Sequence, residues 1–125
     1  MAGNVKKNLQ ALHCQVDYKF TDTNIKTRML DIKSGQHMLR IDDDKNCSPL
    51  NLNFALDHYD AIVISDYNKG TISLDLIKEI RQDFDGPIFI DTKKTNLKEL
   101  QGCIVKINAL EYSLLKSECE NLIVS

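Results

Sequence analysis

Seven residues of types that handle phosphate and divalent cations fall at three places in the chain. Asp66 and Lys69 close the run "AIVISDYNKG", Asp91, Lys93 and Lys94 lie in "IFIDTKKTN", and Asn108 and Glu111 lie in "KINALE". Each set follows a short apolar stretch. Lysine ammonium groups hold phosphate oxygens as point charges, and Asp91 and Glu111 could orient a magnesium ion through its waters, as that hard cation prefers. The chemistry this predicts is recognition of a phosphorylated ligand, provided that the fold brings the three places together.

Each group also has a plainer use. Asn108-x-x-Glu111 has the spacing of a reciprocal cap at a helix start. Asp66 to Gly70 can serve as a strand-to-helix loop with Gly70 at its tight turn. Lys93 and Lys94 can be a solvated pair, and Asp42, Asp43 and Asp44 the polar end of a hairpin. His13, His37 and His58 have no partners at catalytic or metal spacing and are assigned to surface or packing roles. The chain contains no G-x-x-x-x-G-K-[ST] loop, no G-x-G-x-x-G fingerprint, no G-x-S-x-G elbow and no C-x-x-C pair. Cys14, Cys47, Cys103 and Cys119 are irregularly spaced, which suits free thiols of a reducing compartment better than zinc.

What would position these groups is an α/β sheet. From residue 61 the chain alternates: strand 61–65, helix 73–84 with Ser73 as its cap and Ile77, Ile80 and Phe84 inward, strand 87–91, a helical turn 96–100, strand 103–107, helix 109–118 and strand 121–125. Continuous apolar runs such as "AIVI", "IFI" and "CIV" are what parallel strands covered on both faces require, joined by right-handed crossovers. In such a sheet the ligand crevice lies outside the carboxyl ends of the strands, where all three polar tips fall.

The first half reads differently. Val5, Leu9 and Leu12 predict a short amphipathic helix over 3–13 with Lys6, Lys7 and Gln10 outward. Two extended runs, "NIKTRMLDI" and "QHMLRIDDD", flank a Lys-Ser-Gly turn and predict a hairpin over 24–42 with Gly35 at positive φ. Ser48 and Pro49 have the types of an N-cap and first helical residue, so a helix carrying Leu50, Phe54 and Leu56 inward is expected after them. The hairpin hands over to the sheet in "DDDKNCSPL". The expected architecture is a single α/β domain over 1–125, a three-layer sheet of about four parallel strands over 58–125 with the hairpin as a lid.

Bulk properties agree. With 125 residues, 42% apolar and 27% charged, the chain suits one globular domain. A formal charge of -2 argues against a nucleic-acid surface. No apolar run reaches the ~20 residues of a membrane span, and the first ten residues lack the apolar core of a secretion signal, so a cytoplasmic protein without membrane contact is expected.

Four segments in order, "AGNVKKNLQAL", "IKTRMLDIKSGQHMLRIDDD", "YDAIVISDYNKGTISLDLIKEI" and "PIFIDTKKTNLKELQGCIVKINALEYSLL", resemble the ribokinase-like (PfkB) carbohydrate kinases, and among them the heptose-7-phosphate kinases. The resemblance implies a partial ribokinase-like fold, a sugar-phosphate substrate, MgATP, and a hairpin lid that pairs between subunits in a homodimer. By similarity Asn4 matches the sugar-binding Asn, and Lys26, Arg28 and Arg40 lie on the lid. Asp66 and Lys69 match the D-Y-x-K-G turn near the substrate. Asp91 and Lys93 match D-P-K with Thr92 in place of the proline, and Asn108 and Glu111 match the N-x-x-E motif that orders magnesium and phosphate, with Ile107 in place of its proline. The family's opening strand with its sugar-binding Asp, the Gly-rich G-A-G-D segment with the catalytic base and anion hole, and the adenine-binding helices have no counterpart in the sequence. No catalytic residue is therefore assigned. Two readings follow: a sugar-kinase-like protein whose site a partner chain would complete, and a non-catalytic sugar-phosphate-binding or dimerisation module.

Overall fold

The computed structural model of the protein describes residues 2–21, 25–43 and 45–125. Helix α1, Ala2–Ala11, ends two residues earlier than its apolar spacing predicts. His13 takes a positive φ of 63°, and the amides of His13 and Cys14 turn back to the carbonyls of Gln10 and Leu9. That left-handed cap satisfies the last carbonyls and releases the chain into an extended strap.

Strands β1, Ile25–Leu30, and β2, His37–Asp43, form the expected antiparallel hairpin. Asn24 and Asp44, which the sequence places at its ends, lie outside the described residues. The Asp31 carboxylate accepts from the Ser34 amide at 2.8 Å and the Ser34 hydroxyl at 2.6 Å, and Gly35 supplies the left-handed φ of 68°. Register sorts the hairpin into two unlike faces. Lys26 stands opposite Asp42 and Arg28 opposite Arg40 on one; Ile25, Met29, Leu39 and Ile41 share the other.

The main sheet is parallel, in the order β3 (Ile62–Asp66), β4 (Ile88–Thr92), β5 (Ile104–Ile107), β6 (Asn121–Val124). Helix α2, Leu74–Asp83, links β3 to β4, with Ser73 capping it by accepting from the Leu76 amide at 3.0 Å. Leu76, Ile77 and Ile80 of α2 meet Ile64, Ile88, Ile90, Val105 and Ile107 of the sheet, with Leu97 and Leu100 from the 3-10 turn Lys98–Leu100. These residues are the core.

Only one face is covered by the described residues. Val63, Phe89 and Ile123 point to the other side, 45%, 41% and 52% exposed, where apolar runs alone led to an expectation of cover on both. The third crossover helix, α3, Ala109–Ser113, buries no residue and is shorter than the predicted 109–118. It stops because the amides of Lys116 and Ser117 go to the Thr95 carbonyl, which draws the chain into a parallel bridge between Asn96 and Ser117.

The helix expected after Pro49 does not form. Leu50, Leu52, Phe54 and Leu56 alternate with Asn51, Asn53 and Ala55, and a period of two is satisfied by an extended strap laid on the core. The amides of Cys47 and Leu50 bond to the carbonyls of Lys69 and Thr71. Gly70, at φ 96°, lets the strap this close, since a Cβ there would sit 3.0 Å from the Cys47 carbonyl oxygen.

Candidate functional site

The tips of β3 and β4 are tied by one buried carboxylate. Asp66 is 3% exposed, and both its oxygens are used within the protein. Oδ1 accepts from the Asn68 amide at 2.8 Å, which holds Asn68 at its positive φ of 55°. Oδ2 accepts from the Thr92 hydroxyl at 2.8 Å and pairs with Lys94 Nζ at 2.8 Å. Thr92 in turn accepts from the Lys94 amide, and the Asp66 carbonyl accepts from the Lys93 amide. Asp66 therefore organises the two loops through bonds within the protein, and those loops carry Lys69 and Lys93.

Lys69 and Lys93 line a cleft of about 1320 Å³ that runs along β3 between α1, the hairpin and the strap 14–21. Asn4, Lys26, Arg28, Arg40 and Asp66 line it as well. Seven of the eleven residues named from sequence are thus brought to one cavity. Arg40 grips Asp42 through Nε at 2.8 Å and Nη2 at 2.7 Å. This two-pronged bond, with the charges of Arg40, Lys26 and Arg28 behind it, holds the Asp42 carboxyl below its usual range. Arg28 directly opposite Arg40 is a like-charge pair that destabilises a bare hairpin. With Lys26 beside them, three cations face one carboxylate among the described residues, an arrangement suited to an anion.

Asp91, Asn108 and Glu111 are placed elsewhere. Asp91 lies on the open face of the sheet, 3.5 Å from Lys106. Asn108 and Glu111 form the reciprocal cap of α3, each accepting from the other's amide at 2.8 Å. The second Glu111 oxygen faces Lys93 Nζ at 3.7 Å, and Lys93 also lies over the Tyr67 ring at 5.6 Å. Glu111 therefore reaches the cleft only through Lys93. Among the described residues no three Asp, Glu, His or Cys side chains gather as a metal site.

Sequence reasoning passed over the strap. Tyr18 and Phe20 stack with centroids 5.4 Å apart and planes 13° apart, and Lys6 Nζ sits over the Tyr18 ring at 4.4 Å. Asp17 accepts from the Tyr59 hydroxyl at 2.9 Å, which pushes the Tyr59 phenol up from its ordinary value. The alternation Val16, Tyr18, Phe20 was the available signal for an extended segment with an aromatic side.

No family model matches the chain, and no solved structure matches it. It is 41% identical over 63 residues to an uncharacterized protein of Methanocaldococcus jannaschii, covering 50% of this chain and 43% of that one. It is 25% identical over 104 residues to the bifunctional protein HldE of Pasteurella multocida, covering 76% of this chain and 22% of the relative. The chain therefore spans less than half the length of either relative. No helix among the described residues is long and apolar enough to cross a membrane.

Proposed function

We propose that the protein binds a sugar phosphate in the cleft between the hairpin and the strand tips, as a relative of sugar kinases of the heptose-7-phosphate class. The observation that carries this is the convergence of Lys26, Arg28 and Arg40 from the hairpin with Lys69 and Lys93 from the strand ends on one cavity. The cavity exceeds the ~300–1,000 Å³ typical of small-ligand pockets, so a phosphorylated sugar fits with room to spare. Distant similarity to HldE over three quarters of the chain supports a kinase-like descent. The free thiols of Cys14, Cys47, Cys103 and Cys119 suit the cytoplasm.

Phosphoryl transfer to that sugar would require MgATP. The present residues do not fit a resident magnesium ion. Glu111 is committed to its cap and to Lys93, and Asp91 pairs with Lys106 on the open sheet face. The base and the anion hole have no counterpart among the present residues, so the reading for these residues is binding. Calorimetric titration with a hexose 6-phosphate or heptose 7-phosphate, with and without MgATP, tests it. Binding weakened about tenfold or more by Arg28→Ala and by Lys69→Ala is expected, each substitution removing a charge-assisted contact. Absence of binding by the folded chain would overturn it.

A dimerisation role has its own support. Ile25, Met29, Leu39 and Ile41 on the outer face of the hairpin are 63%, 50%, 51% and 48% exposed. A two-stranded ribbon with an uncovered apolar face gains by pairing with a second copy. Light scattering that shows a single monomeric mass across a wide concentration range would sink this reading.

A further inference from the structure

Tyr18 and Phe20 are 42% and 52% exposed, yet they are stacked on one another and line the cationic cleft. Two large rings held in parallel without being buried are not explained by core packing. We propose that this stack is a ligand subsite, taking the flat face of a ring borne by the phosphorylated ligand. The inference rests on the cleft being a phosphate-ester site, and it adds the ring to the phosphate.

The strap is held where such a subsite would be useful. Thr21, next to Phe20, donates its hydroxyl to the Ser48 carbonyl at 2.7 Å and lies 3.4 Å from the Thr71 hydroxyl. Thr71 is two residues beyond Lys69, whose carbonyl is itself bonded to the Cys47 amide. Phe20 is thereby anchored beside the loop that carries a cleft lysine. At the other end of the stack the Lys6 ammonium over Tyr18 fixes that ring by a cation–π contact, leaving Phe20 as the more exposed ring of the pair. Aromatic faces attract other rings in offset stacks, whichever ring the ligand carries. Asn4 and Asp60 line the same cleft and can meet the polar rim of that ring. The ligand class is a phosphate monoester with a ring close to the phosphate, which a cyclic sugar phosphate and a nucleoside monophosphate share.

Calorimetric titration of the wild-type chain, Phe20→Ala and Phe20→Tyr with inorganic phosphate, sorbitol 6-phosphate, glucose 6-phosphate and AMP tests the subsite. Phe20→Ala is expected to weaken a ring-bearing probe about tenfold and to leave inorganic phosphate and the open-chain sorbitol ester within about twofold, while Phe20→Tyr keeps wild-type affinity. Loss on glucose 6-phosphate alone would assign the stack to a sugar ring, and loss on AMP alone to a base; either upholds the subsite. Equal weakening of all probes, or no change on either ring-bearing probe, overturns it while leaving the phosphate site standing. Failure of the folded wild-type chain to bind any probe overturns the phosphate site and the subsite together.

Discussion

Replacing Lys94 by Met should be one of the most damaging single changes at the strand tips. The Lys94 and Asp66 side chains are 15% and 2% exposed, with Nζ and Oδ2 2.8 Å apart. At an effective dielectric of 20 that separation corresponds to about 6 kcal/mol of attraction, most of which is offset by taking both charges out of water. The intact pair is therefore close to neutral, but removing one partner strands a buried carboxylate, at a cost of about 3–5 kcal/mol. Asp66 would keep bonds from the Asn68 amide and the Thr92 hydroxyl, which places the expected loss near 3 kcal/mol. Total stability for a chain of this size is on the order of 5–15 kcal/mol, so the midpoint of thermal unfolding should fall by roughly 10 °C. Urea unfolding followed by circular dichroism would measure it for Lys94→Met, Asp66→Asn and the double variant. The double variant should be more stable than Lys94→Met, because no charge remains buried. A loss below about 1 kcal/mol for Lys94→Met, the range of exposed ion pairs, would refute the reasoning.

Two further outcomes follow from the same geometry. The Asp42 carboxyl, whose pKa is lowered chiefly by its bond to Arg40, favours the folded hairpin above the usual value of 3.8, and this contribution is lost as pH falls through the lowered one. Titration of the Asp42 carboxyl by nuclear magnetic resonance should show a midpoint under 3.8 that moves back up in Arg40→Gln; an unchanged midpoint would contradict the two-pronged bond. Burial pushes the thiols of Cys103 and Cys119 up, whereas Cys14 is exposed, so a thiol reagent should label Cys14 at once and the buried pair only as the chain unfolds. Mass spectrometry of the labelled peptides would read this directly, and fast labelling of native Cys103 would count against the core as described.

Period decided what could be read from sequence. The strands at 62–66, 88–92, 104–107 and 121–124 announced themselves because their apolar runs are short, bounded and separated by crossover lengths. Ser73 and Asn108 capped helices as their types predict, since capping depends on residues three apart and needs no distant partner. The strap 45–60 suits either reading, because Leu50 and Phe54 are spaced as on a helix while the full set Leu50, Leu52, Phe54 and Leu56 runs at a strand's period of two, and contact with the 69–71 loop settles which one holds. Helix α3 stopped short for the same reason, since the Thr95 carbonyl that ends it lies far along the sequence. Among the site residues, Lys26, Arg28, Arg40, Asp66 and Lys69 line one cleft, and Asp66 is in addition buried and bonded within the protein. Nothing local distinguishes a carboxylate that meets a ligand from one that braces two loops; Thr92 and Lys94, its partners, sit on a different strand end.

The placement of charge on the hairpin favours binding over mere surface solubility. A ribbon built for stability would set Arg28 against a carboxylate, as it sets Lys26 against Asp42. Instead Arg28 faces Arg40, and among the described residues Asp42, the carboxylate on that face, is gripped by Arg40 through both prongs. Lys26, Arg28 and Arg40 are turned into the cleft, while the apolar residues that would ordinarily anchor such a ribbon are turned to solvent. Both choices weaken the isolated hairpin. Each becomes favourable when something covers it: an anion across Lys26, Arg28 and Arg40 on the inner face, and an apolar surface across Ile25, Met29, Leu39 and Ile41 on the outer one. Ligand and partner would then stabilise the same two strands from opposite sides, so each should raise the affinity for the other, as linkage requires.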